Sequence, residues 1–337
     1  MIRYCATPAG RIAYSTLGTG PPLLCDAGWV THLRQQLDLF SFASFAAGLA
    51  ERFTVIRYDK PGCGLSDRDG ADLSFDAQVA AALAVADAAG ARRFRLFGAS
   101  QGGQLAAAIA ARHPERVAAL ALYGTCASGS DLAPAEVRDS ITALVRAHWG
   151  LGSRVLAGIF LPDPSSEEVD ALTRFQRACA PADVAARILE AYYETDIRSL
   201  LPGITAPTAV LHREADPAAR FALGREMAAL VPGAALLPLP GTSHLFYHGH
   251  WRESLAATLE FLGEPGDGDP RLTPRELEVA RLVADGLTNG AIASRLAVAP
   301  RTAEAHVENI RRKLEVRSRA QIAAWVTERR LRPGAPR

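Results

Sequence analysis

Lysine is nearly missing from this chain. Of 37 basic residues only Lys60 and Lys313 are Lys, and with alanine abundant this bias reads as base composition rather than function. Cysteine is sparse and scattered: Cys5, Cys25, Cys63, Cys126 and Cys179 form no Cys-x-x-Cys pair and no Cys/His spacing. That excludes a zinc-type cluster and a disulfide framework, and it fits a reducing compartment. No apolar run reaches the roughly 18 residues that a membrane helix needs. The opening MIRYCATPAGRIAYST lacks a charged-then-apolar leader, so a cytoplasmic protein with no membrane partner is expected. Neither a metal nor a cofactor is expected.

Overall charge is missing too, at +1 for the whole chain. Locally the picture differs, because residues 300 to 337 hold ten Arg or Lys against four Glu, a balance of +6. Concentrated basic charge of this kind marks a place where phosphates are met.

The length of 337 residues and the 49% apolar content suit two domains at about 100–200 residues each. Residues 264–270, Glu-Pro-Gly-Asp-Gly-Asp-Pro, combine helix breakers with charge and have nothing apolar to bury, which is linker chemistry. The expected division is therefore 1–263, linker 264–270, and 271–337.

In the second part, Val279, Leu282 and Val283, then Ile292, Ala293 and Leu296, repeat at helical spacing on either side of Gly286, which predicts a helix, a tight turn and a second helix. From Pro300 a third helix follows, with Ala303, Val307, Ile310 and Leu314 on one stripe and the polar residues elsewhere. The segments LTPRE, TNGAIASRL, RTAEAHVENIRRKL and VRSRAQ resemble the DNA-binding domain of LuxR/NarL-type transcription regulators. Gly290 and Ala291 stand where that family often has Lys-Glu, Ala303 where Val is usual, and Glu315 where Gly is usual. The resemblance implies double-stranded DNA as partner, with the third helix in the major groove. It places Glu304, Ala305 and Glu308 toward bases and makes Thr302, Arg312 and Lys313 candidates for phosphate contacts. Two acidic groups near phosphates weaken non-specific binding, so a homodimer is expected, paired as in the family through the last helix around Ala320 to Val326. His306 lies between the faces and is open to either a core or a contact role.

In the first part, short apolar runs at Leu23–Cys25, Thr54–Tyr58, Phe94–Phe97, Val117–Tyr123, Thr208–His212 and Ala235–Leu239 alternate with Ala-rich amphipathic stretches. This predicts a parallel sheet with helices on both faces. Between Cys126 and Leu200 the strand signal lapses, and Pro134–Trp149, Glu167–Cys179 and Pro181–Tyr193 read as helices of an insertion, at about 127–200, forming a cap.

Gly98-Ala99-Ser100-Gln101-Gly102 follows a strand and opens a helix, the context of a nucleophile elbow. With RYDKPGCGLS (57–66) and HPERV (113–117), it makes residues 1–263 resemble the α/β-hydrolase superfamily. The fold class expected is thus an α/β-hydrolase fold with a helical cap, plus a small all-α helix-turn-helix domain. A serine needs a histidine to take its proton and a carboxylate to orient that histidine. In the superfamily's order these are Ser100, Asp216 and His244. Glu214 competes with Asp216, and His212, His248 and His250 compete with His244, His212 being set in a strand and the other two in a turn. Asp59 reads as a turn-stabilising group. The oxyanion donors would be the backbone N–H groups of Gln101 and Trp29, although Ala27 replaces the His that many members carry before Gly28. The cap aromatics Trp149, Phe160, Phe175, Tyr192 and Tyr193 are core by default, with one or two lining a cavity. Two readings remain: a regulator that senses, and turns over or not, a small apolar ester or lactone-type ligand, and a serine hydrolase of the esterase/lactonase class with an accessory DNA-binding module.

Overall fold

The computed structural model describes residues 1–7, 10–263, 272, 274–296, 298–314, 316 and 318–330; the expected linker and Glu315 lie outside them. The chain divides into two compact units, Met1–Glu264 and Pro265–Arg337.

The first unit is an eight-stranded sheet: β1 (Ile2–Thr7), β2 (Gly10–Leu17), β3 (Pro22–Asp26), β4 (Thr54–Tyr58), β5 (Phe94–Ala99), β6 (Val117–Tyr123), β7 (Thr208–Arg213) and β8 (Ala235–Leu239), in the order β1-β2-β4-β3-β5-β6-β7-β8. The sheet is mixed. β1 and β2 form an antiparallel hairpin and β2 pairs antiparallel with β4, while all pairings from β4 onward are parallel. The parallel expectation therefore fails at one edge. The hairpin's outer strand IRYCAT is half exposed, so it carries no buried apolar run to betray it.

Helices α1 (Phe42–Ala50), α2 (Phe75–Ala88), α3 (Gln101–Arg112), α8 (Phe221–Leu230) and α9 (Trp251–Gly263) cover the sheet, while α4 (Ala135–Ala147), α5 (Trp149–Phe160), α6 (Ser166–Cys179) and α7 (Ala182–Glu194) are inserted between β6 and β7. Strand alternation sorts side chains into two cores. Leu23, Val55, Phe97 and Ala121 pack with α1, α9 and the inserted helices, and Leu24, Ile56, Leu96 and Leu122 pack with α2, α3 and Met227 of α8, as a period of two requires when both faces are covered.

The insertion holds four helices, one more than its apolar pattern suggests. α5 starts where the backbone breaks at His148, whose ring nitrogen accepts from the Leu151 N–H at 3.1 Å and caps the new helix. α6 opens on a reciprocal capping box between Ser165 and Glu168.

The second unit consists of α10 (Pro274–Ala284), α11 (Asn289–Arg295), α12 (Pro300–Leu314) and α13 (Arg319–Arg330). Gly286, at φ +84°, ends α10 in a conformation that favours glycine, and the Thr288 hydroxyl accepts from the Ala291 N–H to start α11. Val279, Val283, Ile292, Ala303, Val307, Ile310, Leu314, Ile322 and Val326 form a separate core.

Candidate functional site

Ser100 sits between β5 and α3 at φ 55°, ψ −125°, a strained region for a residue with a side chain. The strain is held by its surroundings: the Ser100 N–H donates to the Tyr123 carbonyl at 2.9 Å. The flanking glycines are required by space. A Cβ on Gly98 would lie 2.5 Å from the Gly102 carbonyl oxygen, and one on Gly102 would lie 2.4 Å from that of Asp26.

Asp216 follows β7 and His244 follows β8, and His244 Nδ1 lies 2.7 Å from Asp216 Oδ2 with both side chains buried. Asp216 Oδ1 accepts from the N–H groups of Ala218 and Ala219. Burial alone would raise the Asp216 carboxyl, but the charge and hydrogen bond of His244 outweigh it and hold it below the ordinary carboxylate value. The rivals are placed elsewhere. Glu214 is exposed, His212 is buried with Nε2 on the Ala219 carbonyl at 2.7 Å, and His250 pairs with Glu253. His248 is engaged rather than solvated, its Nε2 being 2.9 Å from Glu168 of α6. Asp59 is fully buried and its carboxylate accepts from the Leu65 N–H. Burial raises its pKa to about 6.

Ser100 and His244 line one cavity with Ala27, Gly28 and Trp29 of the loop after β3. Gly28, at φ +142°, has open space beside it, so conformation rather than room calls for glycine there. From the cap, Phe160, Leu172, Phe175 and Gln176 complete the wall, joined by Val30, Gln36 and Leu245 to Tyr247. Trp149 serves the cap instead: it meets Trp29 edge to face at 6.0 Å and donates from its indole to the Ala180 carbonyl. Tyr192 is buried, with its hydroxyl beside Cys126 Sγ and the Ser100 side chain, while Tyr193 stacks on Tyr192.

Three supports escape sequence reasoning. Lys60 is 1% exposed, with its ammonium 3.1 Å from Asp26 Oδ1 and donating to Gln101 Oε1 at 2.7 Å. Tyr58 donates to Asp26 Oδ2 at 2.6 Å, so a buried ion pair holds the residue after Ser100. Arg213, also buried, donates to the carbonyls of Ser243 and His248, both at 2.8 Å, and fastens the loop that carries His244. The cap holds the same loop, since the His244 N–H donates to the Phe160 carbonyl at 2.9 Å and the two rings lie 5.3 Å apart. Lys60 stands in the RYDKPGCGLS segment that carries the resemblance, but nothing in that segment pointed to its partners.

In the helical unit, Thr302, Glu304, Ala305, Glu308 and Arg312 of α12 are exposed, and His306 is half-buried. Glu308 pairs with Arg311 at 2.9 Å. Lys313 is half-buried, and its ammonium lies 2.6 Å from the buried Glu276 of α10. On α13, Ile322 and Val326 are spent on the unit's own core, which leaves Ala320 and Ala324 as the exposed small residues of that stretch.

The capped sheet with an elbow serine is the architecture of one large class, and the chain belongs to it: residues 21–250 match the alpha/beta hydrolase fold family. Residues 270–326 match the bacterial regulatory proteins of the luxR family, so a LuxR-type DNA-binding domain is fused to a hydrolase domain. The chain is 31% identical over 261 residues to the pimeloyl-[acyl-carrier protein] methyl ester esterase of Chromobacterium violaceum, covering 73% of this chain and 96% of that one. It is 39% identical over 61 residues to the nitrate/nitrite response regulator NarL of Escherichia coli, spanning 18% of this chain and 28% of that one. Among solved structures, the enol-lactonase of Burkholderia xenovorans is similar at a TM-score of 0.66 and 25% identity, covering 78% of this chain and all of that one.

Proposed function

We propose that the chain is a cytoplasmic, dimeric transcription regulator whose hydrolase domain binds a small neutral ester or lactone and thereby changes DNA binding. The observation that carries this is a cavity with mainly apolar walls and no Lys or Arg among the described residues that line it, holding Ser100 and His244 in a chain that also has a LuxR-type domain. The methyl ester esterase and the enol-lactonase among its relatives favour an acyl-oxygen ligand. Ligand acts by its different affinity for two arrangements of the dimer.

The 2.7 Å Asp216–His244 contact favours turnover as a second reading. Ser100 Oγ attacks the acyl carbon as its proton passes to His244 Nε2, and Asp216 stabilises the imidazolium. The oxyanion is held by the N–H groups of Gln101 and Trp29. Collapse expels the alkoxide, which takes the proton from His244, and water repeats the sequence to release the acid.

Binding to DNA from the chain's own promoter region, read by fluorescence anisotropy with and without ethyl hexanoate, tests the regulator. Steep weakening with salt and a change with ester are expected; no binding at low salt sinks it. Labelling by a fluorophosphonate probe, lost in Ser100→Ala, tests turnover chemistry separately. Labelling that survives the substitution counts against Ser100.

A further inference from the structure

Within the cavity wall, Gln176 of α6 is 1% exposed. Its Nε2 donates to the Ser153 carbonyl at 3.0 Å and the Leu172 carbonyl at 3.4 Å. Those two acceptors fix which end of the amide is which, because a flipped amide would set oxygen against oxygen. Gln176 Oε1 is then a buried acceptor with no hydrogen-bond partner among the described residues. Gln36, the other amide of the wall, has its Oε1 engaged by Arg57. An orphaned buried acceptor is destabilising until something donates to it.

We infer that Gln176 Oε1 selects ligands with a hydrogen-bond donor, a hydroxyl or amide N–H, on the portion lodged beneath the cap. The inference rests on the ester-binding reading of this cavity and sharpens it: the ligand class is a neutral acyl ester or lactone with a hydroxylated or amide-bearing chain. A carboxylate or second ester carbonyl at that point would set acceptor against acceptor and is excluded. A site built to bond a hydroxyl rejects the analogue without one more strongly than an apolar wall rejects an added methylene.

The test uses the full chain carrying Ser100→Ala, so that nothing is turned over, and reads binding by quenching of Trp29, which lines the cavity. Four probes are titrated: ethyl hexanoate, ethyl 3-hydroxyhexanoate, ethyl 6-hydroxyhexanoate and monoethyl adipate. At least one hydroxylated ester is expected to bind about tenfold more tightly than ethyl hexanoate, and monoethyl adipate more weakly. Adding Gln176→Leu or Gln176→Met should bring the hydroxylated-to-plain affinity ratio to about one; the ratio is internal to each variant, and the pair guards against one failing to fold. Equal affinities in the Gln176 protein, or a preference that survives both substitutions, overturns the inference while leaving the ester cavity standing. Quenching by none of the four overturns both.

Discussion

Lys60 shows how much of the site hangs on single side chains. Its ammonium, Asp26, the Tyr58 hydroxyl and the Gln101 amide form one buried group, and removal of one member of a buried ion pair costs about 3–5 kcal/mol because the other charge is stranded. Lys60→Met should lower the melting temperature sharply, and adding Asp26→Leu should recover part of the loss. A single variant that melts with the parent would show that the pair carries no such weight. Of these four residues only Gln101 had a role legible beforehand, through its place after Ser100; Tyr58 and Lys60 stood in the RYDKPGCGLS segment without one. Contacts between residues 32, 34 and 41 positions apart leave no local pattern to read. Gln176 and Arg213 were hidden for the same reason, since each reads locally as an ordinary polar residue of a helix or strand.

At the level of elements, apolar runs announced most strands because burial on both faces makes them continuous, as in Val117–Tyr123, where every residue is buried. The outer strand β1 was hidden by its half exposure, and α5 by Gly150, Gly152 and Gly158, which look like loop chemistry although Gly152 is packed against Val145 of α4. α12 was legible because its stripe of Ala303, Val307, Ile310 and Leu314 is wholly buried; which polar residues would be occupied by neighbours was not. That difference separates Arg312 from Lys313. Arg312→Ala should lower the slope of log affinity against log salt by about one. Lys313→Ala should instead cost the helical unit about 1–3 kcal/mol of stability through its bond to Glu276, with little change in slope. Anisotropy titrations at several salt concentrations, with thermal melts, check both; a Lys313 variant that changes only the slope reverses the assignment.

For the whole molecule, two units with separate cores should unfold as separate cooperative transitions, since each buries its own apolar surface. Calorimetry is expected to show two peaks, with Lys60→Met moving one and Lys313→Ala the other. A single peak shifted by both variants would mean that the units melt as one. The division of labour was readable from the change in composition and charge along the chain, whereas the character of the cavity emerged only when cap and sheet were brought together.

The His244 N–H is spent on the carbonyl of Phe160, the last residue of a cap helix, rather than on the sheet. The proton acceptor of the proposed reaction is therefore tied from two sides: its backbone to the roof of the cavity, and its ring and the residue before it to Asp216 and Arg213 at the end of β7. A substitution that loosens the Phe160 turn would act on the base as well as on the wall, so a change made for the shape of the ligand also reaches the reacting group.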